Sequence, residues 1–134
     1  MSEKFGYSRC VRAYRPDLPD RLYEILDSAE GREVAPEFGS YPTMDELLPF
    51  ANEGITEAIY NIGVMYDLGH GIAQDHKEAF NWYSEAAKHG APKAMFNCGV
   101  CYELGEGVKK DFEMAMNCYR DAAKEYEEEC LELR

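Results

Sequence analysis

From about residue 43 onward, small and apolar residues recur at three- and four-residue spacing between polar ones, a pattern that predicts helices with one buried stripe. Ala58, Ile62 and Tyr66 form such a stripe, with Ile59 and Gly63 beside it; Ala79, Tyr83, Ala86 and Ala87 form another. Thirty-six positions later the same series returns as Ala94, Cys98 and Tyr102 with Met95 and Gly99, then Ala115, Tyr119, Ala122 and Ala123. Laid over one another without a gap, residues 55–88 and 91–124 agree at fifteen of thirty-four positions. Each copy reads as helix, tight loop, helix, and one such pair cannot bury its apolar face alone, so the copies must stack.

Local signals place the element ends. A glycine inside a helix costs about 1 kcal/mol relative to alanine, so Gly63 and Gly99 predict close approach of a second helix. Gly69 and Gly105 predict left-handed helix stops, followed by Gly71 and Gly107 at a second special backbone position. Asp75 and Asp111 are expected N-caps, with Glu78 completing a capping box in the first copy only. Gly90 ends one unit and Pro92 opens the next. A truncated copy precedes the two full ones: Thr43 and Glu46 make a capping box for a helix reaching about Glu53 and closing at Gly54, with Pro49 expected to kink it or delay its start. The charged run "KEYEEE" prolongs the last helix, giving the terminal unit a polar outer face.

Residues 1–42 lack the period. "PDLPDRLYEILDSAEG" predicts a helix capped near Asp17, packing Leu18, Leu22, Ile25, Leu26 and Ala29 and stopping at Gly31. Phe5, Tyr7, Val11 and Ala13 alternate as in a weak strand, and "APEFGSYP" reads as a loop. The segment is expected to cap the stack, with a partner-specific element as the other reading.

The series Ala58, Ile62-Gly63, Tyr66, Gly69-x-Gly71, Asp75, Ala79, Tyr83, Ala86-Ala87, Gly90 resembles the Sel1-like repeat, a helical unit related to the tetratricopeptide repeat. The resemblance covers roughly 43–130; Cys118 stands where the first copy has Trp82, and Cys98 where the family usually has leucine. The expected fold is all-α: a short α-solenoid of antiparallel helix pairs, with a partial repeat at 43–54, full repeats at 55–90 and 91–126, a C-terminal capping helix end, and an N-terminal extension or cap over 1–42.

Charge narrows the partners. The chain has 134 residues and a formal net charge of -12, with 14 basic against 26 acidic side chains. Nucleic-acid affinity comes largely from Lys and Arg displacing counterions, so no nucleic-acid partner is expected; a basic protein partner is favoured. The sequence shows neither a signal-peptide pattern nor about 18 consecutive apolar residues, so a cytoplasmic location without membrane insertion is expected.

No residue set points to catalysis, a metal or a cofactor. Cys98-x-x-Cys101 aligns with Ile62 and Met65 and reads as packing; five cysteines in all suit reduced thiols. His70 and His76 align with Glu106 and Phe112, and with His89 they read as surface variation. The expectation is a non-enzyme.

Beside the buried stripe of each first helix runs a second one, Glu57, Tyr60, Val64 and Asp67, repeated as Lys93, Phe96, Val100 and Glu103, with Asn61 and Asn97 alongside. The family resemblance implies that first helices line the concave face, so these ten residues are the expected partner-binding site. Aromatic anchors beside amide side chains suit a peptide or helix. The expected function is an adaptor or regulator gripping a protein there. The alternative is an acidic immunity or inhibitor protein neutralising a basic toxin or enzyme one-to-one.

Overall fold

A computed structural model describes residues 4–6, 19–22, 24, 25 and 42–132, with the side chains from residue 129 on left undescribed. Among the described residues from 42 on, five helices follow one another: α1 (Met44–Asn52), α2 (Thr56–Leu68), α3 (His76–Lys88), α4 (Pro92–Leu104) and α5 (Phe112–Glu132). Consecutive helices pack pairwise, α2 on α3 and α4 on α5 within the repeats, and α1 on α2 and α3 on α4 between them. No strand occurs among the described residues.

The helix ends follow local chemistry. Thr43 and Glu46 form the expected reciprocal capping box at α1, and Glu46 also bonds the Thr43 hydroxyl. Pro49 lies inside α1, which still begins at Met44 and runs unbroken to Asn52, so the delayed start does not occur. Asp75 caps α3 by accepting from the Lys77 and Glu78 amides, and Asp111 accepts from the Met114 amide. The Asp75 amide, however, donates to the Tyr66 carbonyl at 2.8 Å in place of Glu78; the loop folds back on the helix it leaves, as Asp111 does on Tyr102. Gly69 and Gly105 end α2 and α4 in the left-handed region at φ 73° and 74°.

The mid-helix glycines have the reason the sequence demanded. A Cβ on Gly63 would lie 2.8 Å from the Tyr83 ring, and one on Gly99 would lie 2.6 Å from the Tyr119 ring. Each repeat therefore seats the tyrosine of its second helix on a bare stretch of its first. The core gathers Leu47, Ala51, Ala58, Ile59, Tyr60, Ile62, Met65, Ala79, Tyr83, Ala86 and Ala94, continuing through Cys98 and Cys101.

Of the expected helix from Asp17, residues 20–22, 24 and 25 are helical, and Leu22 and Ile25 are buried in that core. Asp17, Leu18, Leu26, Ala29 and Gly31 lie outside the described residues, as do Tyr7, Val11, Ala13 and residues 35–41 of the expected loop, whose last residue, Pro42, is buried. No described helix is long and apolar enough to cross a membrane.

Candidate functional site

Because α2 and α4 are both thirteen residues long and stop at equivalent glycines, Tyr60-Asn61 and Phe96-Asn97 occupy equivalent positions on neighbouring helices. Across them lies a piece of the chain itself. Residues 4–6 have no helical or strand structure, and their described hydrogen bonds reach groups 54 to 102 positions away.

The main chain of that segment is held by side chains. The Phe5 amide donates to Asn97 Oδ1 at 2.8 Å, and Asn97 Nδ2 donates to the Phe5 carbonyl at 3.0 Å. The Tyr60 hydroxyl lies 3.0 Å from the Phe5 carbonyl and 2.7 Å from that of Gly6, and it accepts from Asn97 Nδ2 at 3.2 Å. Asn97 and Tyr60 are buried, so the bonds offset the cost of withdrawing polar groups from water. Burial raises the Tyr60 pKa still further above neutrality, so the hydroxyl stays protonated and able to donate well into alkaline pH.

Two pockets receive the side chains. Phe5 meets Phe96 edge-on, with ring centres 4.9 Å apart, and Phe96 in turn meets Tyr119 at 5.1 Å; the Lys93 ammonium stands 5.9 Å from the Phe5 ring centre. Beside Phe5 opens a cleft of about 460 Å³ walled by Pro92, Phe96, Tyr119, Ala122 and Tyr126. Phe5 remains 48% exposed, so its ring fills only part of the space available.

Lys4 enters an acidic pocket. Its ammonium donates to Asp67 Oδ1 at 2.9 Å and pairs with Glu106. Asp67 Oδ1 also lies 2.8 Å from His76 Nδ1, Asp67 Oδ2 accepts from the buried Tyr83 hydroxyl at 3.0 Å, and its carbonyl accepts from Gln74 Nε2. Burial alone would lower the Lys4 pKa, but the bonds to Glu106 and Asp67 outweigh it and the net shift is upward. Ligand atoms of Asp67, His76 and Glu106 converge within 4.8 Å, a spacing compatible with a cation. The Lys4 ammonium is bonded to two of the three, so it competes with any metal ion for that spot.

Of the ten residues expected to bind a partner, Tyr60, Asp67, Lys93, Phe96 and Asn97 touch residues 4–6. Val64 and Val100 are each 1% exposed and belong to the interior. Asn61 is buried, and Glu57 and Glu103 are half-buried. Sequence reasoning passed over Lys4, Phe5, His76 and Glu106. The differences between copies at positions 70/106 and 76/112, read as surface variation, bring Glu106 and His76 to the pocket beside Asp67.

Cys98 and Cys101 are buried and reduced; burial pushes their thiols up to about 12 and about 11, disfavouring a thiolate nucleophile at neutral pH.

The repeats match the family model for the Sel1 repeat over residues 56–90 and 92–126. The chain belongs to the Sel1 repeat family. Two solved structures share the fold of these Sel1 repeats. One is a protective antigen present in uropathogenic Escherichia coli strains and displaying an SLR fold, at 41% identity and TM-score 0.59 over 60% of this chain and 17% of that one. The other is a Sel1 repeat protein from Oxalobacter formigenes, at 32% identity and TM-score 0.61 over 72% of this chain and 39% of that one. The chain therefore spans less than half the length of either. No curated protein matches it. Sel1 repeats generally serve as non-enzymatic protein interaction modules.

Proposed function

We propose that this Sel1 repeat protein is a non-enzymatic adaptor that grips an extended segment of a protein partner on the face formed by α2 and α4. The observation that carries this reading is the pair of bonds between Asn97 and the main chain of residue 5. A carboxamide that matches one donor and one acceptor of an extended backbone recognises a peptide as such, whatever its side chains. The adjoining cleft and the Lys4 pocket then supply preference. With a net charge of -12 and two carboxylates in that pocket, the preferred partner presents positive charge at the contact.

Capture of partners by the unsubstituted chain and by two folded variants tests the location. Lys93→Glu with Phe96→Ala alters the proposed face; Phe112→Ala with Met116→Ala alters the exposed apolar side of α5. Loss of a partner with the first pair and retention with the second is the expected result, and the reverse overturns the assignment.

The acidic pocket also suits an inhibitor of a basic toxin or enzyme, active in the cytoplasm. One-to-one stoichiometry with an association rate that falls steeply with salt is the signature of that case, because opposite charge steers encounter. A salt-insensitive rate would exclude it.

A further inference from the structure

We infer that Lys4-Phe5-Gly6 is an internal pseudo-ligand, and that the α2–α4 face recognises in a partner an extended segment bearing a basic residue followed by an aromatic one. This rests on the peptide-binding reading above and specifies its ligand.

The segment is bound as a foreign peptide would be. It joins no sheet or helix, and its described hydrogen bonds all go to groups of the repeats. Main-chain bonds from Asn97 and Tyr60 fix its position and carry no sequence information. The two side-chain pockets do. Asp67 and Glu106 would repel an acidic residue at the first position and leave an apolar one facing two carboxylates. At the second position the edge of Phe96 and the ammonium of Lys93 favour an aromatic ring.

Asp67 does not depend on Lys4 for its place. Tyr83, Gln74 and His76 hold it from the repeat side, so the pocket is preorganised for an ammonium or guanidinium from elsewhere.

The internal segment is also replaceable. Its tether gives it an effective concentration on the order of millimolar, yet Phe5 leaves its ring 48% exposed beside an open cleft of about 460 Å³. A partner whose neighbouring residues occupy that cleft buries apolar surface that the internal segment leaves wet, and thereby displaces it.

The test uses the full chain and a labelled synthetic peptide, SEKFGYS, followed by fluorescence anisotropy. The substituted chain Lys4→Ser with Phe5→Ser, checked for an unchanged helical spectrum, empties both side-chain pockets and leaves the internal segment only its main-chain bonds to compete with. The peptide is expected to bind this variant at least tenfold more tightly than the unsubstituted chain, whose own segment competes. Peptides carrying Lys→Glu or Phe→Ala are expected to bind the variant at least tenfold more weakly. Equal binding to both chains overturns the pseudo-ligand. Equal binding of all three peptides overturns the basic-aromatic preference while leaving the main-chain grip intact. Failure of every peptide to bind the folded variant overturns the peptide-binding reading itself. Should the variant not fold, hydrogen exchange at the Phe5 amide of the unsubstituted chain gives the same answer. Millimolar SEKFGYS should accelerate that exchange at least tenfold, and no acceleration overturns displacement.

Discussion

The carboxamide of Asn97 and the backbone of Phe5, 92 positions apart in sequence, satisfy one another completely: one N–H···O bond in each direction, at 2.8 and 3.0 Å. Asn97 stands in a repeat helix and Phe5 in the part of the chain that has no repeat, so the pair ties the extension to the stack. The tie is polar and part-buried, with the Asn97 side fully enclosed, which makes it sensitive to loss of either member.

Asn97→Ala removes both of these bonds and the one from Asn97 Nδ2 to the Tyr60 hydroxyl; the Phe5 carbonyl keeps Tyr60, while the Phe5 amide loses its acceptor. Stranding buried polar groups costs about 1–3 kcal/mol, and a fall in urea stability of that size is expected. Hydrogen exchange should show the effect concentrated at residue 5, with the α2–α3 amides little changed. Uniform loss of protection across all helices would show instead that Asn97 supports the whole stack.

Gly99→Ala tests why a poor helix former stands in mid-helix. Alanine would gain about 1 kcal/mol in helix propensity if the site were open. The added Cβ would lie 2.6 Å from Tyr119 Cε1, however, and the half-buried ring is packed against Phe96, 5.1 Å between centres. Overpacking costs about 1–3 kcal/mol, so a net destabilisation is expected. It should disappear in a Tyr119→Ala background, where the clash has no second partner.

This glycine also shows what a single sequence can reveal. Helix stops, caps and close-packed glycines depend on residues a few positions apart, and the repeat prints each of them twice, so the helix pairs were legible. Asp67 on the first helix of one copy and Phe96 on that of the next, with Asn97 alongside, could be placed on equivalent stripes for the same reason. Their occupant could not: Lys4 and Phe5 act across nearly the whole chain and follow no period. His76 and Glu106 were misjudged because a repeat argument discounts positions at which copies differ. In the acidic pocket two such positions, His76 and Glu106, join Asp67, whose position is acidic in both copies. Glu78 does not cap the Asp75 amide because the loop folds back and gives that amide the Tyr66 carbonyl, a contact between segments that spacing within the helix does not encode.

Alkaline pH should weaken the fold. Burial raises the pKa of Tyr60 and, with Asp67 nearby, that of Tyr83; the Lys4 pKa is raised by its carboxylate partners against burial. A group whose pKa is higher folded than unfolded holds its proton more tightly in the native state. Its stabilisation is complete below the unfolded values, 10.0 for tyrosine and 10.5 for lysine, and is lost as pH rises through the folded ones. Urea midpoints should therefore show no loss from these three groups between pH 7 and 9 and should fall above pH 10. Tyr83→Phe should be less stable at neutral pH, having lost its bond to Asp67, and should show a shallower alkaline fall. An unchanged slope in that variant would remove Tyr83 from the explanation.

Asp67 and Lys4 make the strongest test of how the acidic pocket is built. Asp67 is 6% exposed and is bonded by Lys4, Tyr83 and His76. Asp67→Ala deprives the buried Tyr83 hydroxyl of its acceptor and leaves the Lys4 ammonium with Glu106 alone; breaking a buried ion pair from one side costs about 3–5 kcal/mol. Lys4→Met removes the opposite member but leaves Asp67 held by Tyr83 and His76, so a smaller loss of about 1–2 kcal/mol is expected. The two changes together should cost less than their sum, with a coupling of about 1–3 kcal/mol. Urea unfolding of the four chains measures it. Full additivity would mean that Lys4 does not reside in the pocket in solution. A large coupling, with Lys4→Met still folded, would mean that the pocket outlasts its internal occupant and stands ready for a basic group supplied in trans.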